Sequence, residues 1–158
     1  KRYDEALKDS NRAIELEPDN ARYYNSRSAT LHEMGRYDEA LKDSNRAIEL
    51  EPDNAKYYNN RGVALHEMKR YDEALKDKTK AIELEPDNAR YYDSRGVTLL
   101  AMGRYDEALK DKTKAIELEP DNAEYYDSRS VTLNAMGRYY EALKDKNKAI
   151  ELGRDDKE

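Results

Sequence analysis

The stretch Tyr37–Asn54, YDEALKDSNRAIELEPDN, decides how this chain is read. It recurs as Tyr3–Asn20, Tyr71–Asn88 and Tyr105–Asn122, and in altered form from Tyr139 onward. Tyr3, Tyr37, Tyr71, Tyr105 and Tyr139 stand 34 residues apart, as do Pro18, Pro52, Pro86 and Pro120. A fixed period of this length marks a repeat array in which each repeat touches only its neighbours. Within the stretch, Tyr37, Ala40, Leu41, Ser44, Ala47, Ile48 and Leu50 share the period of a helix that buries one stripe. It reads as the second helix of a two-helix repeat.

Working outward, residues 1–20 hold only a second helix, and four repeats follow at 21–54, 55–88, 89–122 and 123–156. Positions are counted from Ala21, Ala55, Ala89 and Ala123. Each first helix opens after a Pro-Asp-Asn turn. Proline disfavours helical geometry at the preceding glutamate, and Asp or Asn caps the helix to come. The first helix ends near Met34, and Gly35 supplies the left-handed residue that closes it. Repeat 2 has Lys69 at that place, which is strained wherever φ is positive. Asp38 and Glu39 put negative charge in the opening turn of the second helix, where the helix dipole favours it.

Composition agrees with a thin buried stripe rather than a large core: 37% of the residues are hydrophobic and 41% charged. A net charge of −6 argues against nucleic acid, whose phosphates call for a basic face. With no cysteine there is neither a disulfide nor a thiolate metal site. No apolar run reaches membrane-spanning length and no signal-peptide pattern is present, so no membrane partner is expected and a cytoplasmic location is the expectation.

A 34-residue helix–turn–helix repeat with an aromatic at position 4 (Tyr24), small residues at 8, 20 and 27 (Ser28, Ala40, Ala47), Tyr37 at 17 and Pro52 at 32 resembles the tetratricopeptide repeat, TPR. The resemblance covers nearly the whole chain. It implies an all-α, right-handed superhelical solenoid of antiparallel helix pairs, one repeat domain over residues 1–158 with nine helices. It also implies that the first helices line a concave groove for a peptide or partner protein.

Two positions depart from the family pattern. Position 7, commonly leucine, is Arg27, Arg61, Arg95 and Arg129; position 23 is Asp43, Asp77, Asp111 and Asp145, with Asp9 in the half repeat. A guanidinium near the packing seam needs a fixed acceptor, so a repeated interhelical ion pair is expected. The functional alternative is an arginine ladder offered to ligand. Position 24, usually aromatic, is Ser44, Lys78, Lys112 and Lys146, where a lysine stem covers part of the missing ring's surface.

Comparing repeats within the chain singles out the first helix as the variable element. Position 2 reads Arg22, Lys56, Arg90, Glu124; position 5 reads Asn25, Asn59, Asp93, Asp127. Position 9 reads Ala29, Val63, Val97, Val131; position 12 reads His32, His66, Leu100, Asn134, and position 13 reads Glu33, Glu67, Ala101, Ala135. In the family these positions face the groove, so the groove expected here is basic and polar toward the N-terminus, more acidic and apolar toward the C-terminus. The amides and carboxylates at position 5, beside Ser26, Asn60, Ser94 and Ser128, suit hydrogen bonding to an extended peptide backbone. Drift at exposed sites explains the same variation without a ligand. Of the residues that chaperone-binding members use to clamp a terminal carboxylate, only Asn60 and Arg90 are matched, so such a tail is not the expected ligand.

His32 and His66, the only histidines, are followed by Glu-Met rather than forming HExxH, so they read as groove-lining residues and no metal is expected. No nucleophile–base pair, phosphate loop or cofactor fingerprint occurs, so neither catalysis nor a cofactor is expected. The function this supports is a non-catalytic protein-interaction scaffold. The alternative is a structural or assembly element, or a bare scaffold, that associates weakly end to end without a specific ligand. Leu143, Ile150 and Leu152, followed only by a short charged tail, are then expected to lie partly bare, as are Tyr3, Ala6 and Ala13 at the other end.

Overall fold

The structure, a computed structural model, describes residues 2–155; Lys1 and the tail at 156–158 lie outside it. Among the described residues there are nine α-helices, and they fall into two compact units, residues 1–84 and 85–158. The first unit holds α1 (Arg2–Leu16), α2 (Ala21–Glu33), α3 (Tyr37–Leu50), α4 (Ala55–Glu67) and α5 (Tyr71–Leu84). The second holds α6 (Ala89–Ala101), α7 (Tyr105–Leu118), α8 (Ala123–Ala135) and α9 (Tyr139–Asp155). In each unit every helix packs on the next, and successive first helices also touch, α2 on α4 and α6 on α8. This is an all-α repeat fold.

Each turn is built by its own residues. The Asn20 side chain accepts from Arg22 N at 3.1 Å, and Asn54, Asn88 and Asn122 cap α4, α6 and α8 in the same way. The hydroxyl of Tyr24 donates to the carbonyl of Pro18 at 2.8 Å, tying the first helix to the turn before it; Tyr58, Tyr92 and Tyr126 repeat the bond. At the other end of α2, Gly35 takes φ +75° while Arg36 N reaches back to Leu31 O at 2.9 Å, a Schellman-type closure. Lys69 adopts the same turn at φ +60°, the one left-handed non-glycine among the described residues.

Small residues set the helix spacing. Ala40, Ala47, Ala74, Ala81, Ala108 and Ala115 are fully buried, so adjacent backbones approach closely. In the first unit Tyr57 closes over Ala21 and Ala47, flanked by Tyr24, Ile48 and Leu50. In the second, Tyr125 does the same over Ala89, Ala115 and Ile116. Burial pushes the phenols of Tyr57 and Tyr125 up to about 12.

The stripe also buries charge. Asp43, Asp77, Asp111 and Asp145 are buried, and so are Lys78 and Lys112. Here the structure goes further than the sequence reading: the lysines at position 24 of repeats 2 and 3 sink whole, with Lys112 only 1% exposed. Glycine makes this possible. A β-carbon at Gly62 would stand 2.8 Å from Cγ of Lys78, and one at Gly96 would stand 2.9 Å from Cγ of Lys112. In repeat 1, with serine at both positions, the Ser28 and Ser44 hydroxyls meet at 2.6 Å instead.

Candidate functional site

The arginines at position 7 turn inward. Arg27 Nε and Nη2 donate to the two oxygens of Asp43 at 2.6 and 2.7 Å. Arg61 pairs with Asp77 at the same distances, Arg95 with Asp111 at 2.7 and 2.8 Å, and Arg129 with Asp145 at 2.6 and 2.7 Å. The third nitrogen of the fork reaches the preceding second helix: Arg27 to Asn11 at 3.1 Å, Arg61 to Asn45 at 3.0 Å, Arg129 to Thr113 at 3.4 Å. One guanidinium thus holds three helices, with bidentate geometry that lysine cannot copy. The bond to aspartate raises each of these arginine pKa values, against the opposing effect of burial. Each guanidinium is thus committed to its aspartate while 23–25% of the side chain stays exposed.

That leaves the first helices' remaining face as the candidate binding surface, and each unit carries its own. In the first unit, Asn60 Nδ2 donates to Asn25 Oδ1 at 2.8 Å, from α4 to α2. Arg22 and Lys56 are exposed near the N-termini of these helices, Glu33 and Glu67 near their C-termini. His32 and His66 are half-buried, each against the tyrosine five residues on, with ring centroids 5.2 Å from Tyr37 and 5.1 Å from Tyr71. Burial, with Lys78 nearby, lowers the His66 pKa.

Asn59 requires a correction. Expected to offer its amide to a ligand, it is only 3% exposed. The equivalent Asn25 and Asp93 are half-buried, so this enclosure is particular to repeat 2.

In the second unit, Arg90 is exposed near the start of α6 and Glu124 near the start of α8. Asp93 and Asp127 are half-buried beside lysines: Lys146 Nζ lies 3.1 Å from Asp127, and Asp93 interacts with Lys112. Lys112 donates to the Ser128 carbonyl at 2.9 Å, and its burial lowers its pKa. Leu100 is half-buried and Asn134 exposed. Val97 and Val131, at position 9, stand 38% and 55% exposed, each with an exposed alanine one turn on, Ala101 and Ala135. These valines carry the apolar character of the face, more than Leu100 does. The internal comparison held the signal, since position 9 reads alanine, then valine three times. On α9, Leu143 and Ile150 are exposed and Leu152 half-buried, while on α1 Tyr3 is exposed and Ala6 and Ala13 half-buried. Among the described residues no helix is long and apolar enough to cross a membrane.

A stack of capped helix pairs closed by tyrosine and alanine, with a variable first-helix face, defines a helical-repeat interaction scaffold. Four sequence profiles of the tetratricopeptide repeat match the chain at residues 11–42, 29–69, 55–88 and 87–155, and the chain belongs to that family. No curated protein matches it in sequence. Among solved structures it is similar to MamA residues 41–end from Desulfovibrio magneticus RS-1, with 20% identity, 97% of this chain and 86% of that chain covered, and TM-score 0.83. A further MamA crystal structure shares 23% identity over 98% of this chain and 90% of that one, with TM-score 0.81. YrrB, described as a TPR protein with an unusual peptide-binding site, shares 24% identity over 98% and 79%, with TM-score 0.74.

Proposed function

We propose that this protein is a non-catalytic scaffold that binds peptide segments of partner proteins on its first-helix face. The observation that carries the reading is the bond between Asn60 and Asn25. It holds two amides in fixed orientation across adjacent repeats, and each keeps hydrogen-bonding capacity: N–H groups on Asn25 and a carbonyl on Asn60. Such a row suits the alternating groups of an extended backbone. The arginines, engaged by Asp43, Asp77, Asp111 and Asp145, leave that face to the residues that vary between repeats. The peptide-binding site named for YrrB, a protein of similar fold, is consistent with this use.

The test is selection of binding peptides from a random display library, followed by NMR mapping. Shifts are expected at Asn25, Asn60, His66, Arg90 and Asp93, and Asn25→Ala with Asn60→Ala should weaken peptides that map to the first unit. Shifts confined to second-helix residues overturn the proposal.

A second reading rests on α9, which exposes Tyr139, Tyr140, Leu143 and Ile150. An apolar strip of this kind favours self-association. Light scattering across a concentration series, with Ile150→Lys as the control, decides it: a strict monomer unaffected by the substitution ends this reading.

A further inference from the structure

The second unit's first-helix face differs from that of the first in its two exposed valines, and their placement limits what fits there. Val97 and Val131 occupy the same position of successive repeats, on helices α6 and α8 that are in contact. Their separation is therefore one repeat step, and packed helices lie about 8–10 Å apart. A ligand crossing both helices meets apolar surface once per step.

Chain conformations differ in how well they match that step. A β-strand returns a side chain to the same face at about 6.6 Å and again at about 13 Å, on either side of the spacing. A polyproline II segment turns once every three residues and rises about 3.1 Å for each, so residues i and i+3 share a face about 9 Å apart. That agrees with the helix spacing. It is also pre-ordered in solution, so less entropy is lost on docking.

Charge sets the flank. Asp93 and Asp127 lie one turn before the valines on the same stripe, and Glu124 is exposed one turn before Asp127. Lys146 answers Asp127, but in an ion pair whose side chains are 58% and 49% exposed. Such a pair is weak and easily exchanged. The α8 border of the strip is therefore acidic, and it complements a basic residue.

We infer that the α6–α8 face binds a polyproline II peptide with aliphatic residues at i and i+3, one over Val97 and one over Val131, followed by a basic residue beside Glu124 and Asp127. The inference rests on the proposal that first helices form the binding face, and it names the ligand class for the second unit. Ala101 and Ala135, both exposed and small, keep the surface one turn beyond each anchor low.

Three fluorescein-labelled peptides test it by anisotropy: PPLPPLPK, the isomer PPLPLPPK with the leucines two apart, and PPLPPLPE. The first should bind roughly tenfold more tightly than the isomer, the loss expected for one unburied leucine, and about threefold more tightly than PPLPPLPE, since an exposed charge pair is weak. Val131→Ser should remove most of that preference. Its side chain is 55% exposed, and circular dichroism checks that the helices persist. Equal affinity for the two leucine spacings, with NMR shifts still at Val97 and Val131, overturns this ligand class and leaves the first-helix proposal standing. Binding by none of the three overturns it too, whereas the first-helix proposal falls only if library-selected peptides shift second-helix residues alone.

Discussion

Gly96 and Lys112 share one volume: the lysine stem fills the space that a side chain at Gly96 would take, and its ammonium crosses to the carbonyl of Ser128 in the next repeat. A β-carbon at Gly96 would stand 2.9 Å from Cγ of Lys112 and 3.3 Å from the carbonyl of Ala108. The first neighbour sits near the base of an enclosed side chain and the second is backbone, so neither yields cheaply. Gly96→Ala therefore loses more to crowding, about 1–3 kcal/mol, than the roughly 1 kcal/mol gained in helix propensity. The denaturation midpoint should fall. Adding Lys112→Ser to Gly96→Ser, which recreates the Ser28–Ser44 arrangement, should recover most of the loss.

Asp77 is buried and Arg61 is 24% exposed, so the pair lies between the buried and surface extremes. Asp77→Ala leaves a guanidinium without its two-pronged acceptor and should cost about 2–3 kcal/mol. Removing both charges, as Arg61→Leu with Asp77→Ala, should cost less than removing Asp77 alone. Urea denaturation of the three proteins provides the comparison, and equal losses would show that the cost is packing rather than an unpaired charge.

Lys69 holds φ +60° where Gly35, Gly103 and Gly137 stand in the other repeats. Lys69→Gly should raise stability by about 1 kcal/mol, because strain relief exceeds the added freedom of the unfolded chain. Gly103→Ala should lower it by a similar amount. Hydrogen exchange at the amide of Arg70, which bonds to Leu65 O across this turn, reads the effect locally.

Tyr57 titrates at about 12 in the folded protein, against an ordinary value of 10.0. Between those values the unfolded chain has lost the phenolic proton while the folded protein keeps it, so stability falls as pH rises. Its contribution is complete below pH 10.0 and lost through about pH 12. Tyr57→Phe has nothing to ionise and should show a shallower alkaline decline. An unchanged slope would mean that the phenol is not shielded.

Much of this molecule is legible in the 34-residue period. Proline, asparagine and glycine mark the turns, and steps of three and four mark the buried stripe, because these are local rules that hold whatever the helix packs against. The Arg27–Asp43 type of pair is legible for a related reason: two charged residues recur together at a seam where either alone would be costly. The burial of Lys78 and Lys112 is not a local matter. It depends on a cavity made by an absent side chain 16 residues earlier, and it shows only when positions 8 and 24 are read jointly. The enclosure of Asn59 is likewise not a local matter, since Asn25 at the same position, of the same residue type, is half-buried.

That joint dependence governs how the array can be rearranged in evolution. Near-identical repeats invite unequal crossing-over, and the breakpoint decides the outcome. An exchange in a Pro-Asp-Asn turn moves a complete repeat, with its serine pair or its glycine–lysine pair intact. An exchange inside a repeat, between positions 8 and 24, splices one partner of each pair to the wrong mate. In repeat 4, Ser130 stands with Lys146, which lies on the last described helix with its side chain 58% exposed and pairs with Asp127. Whole-repeat duplication thus keeps each pair together, and partial exchange separates it.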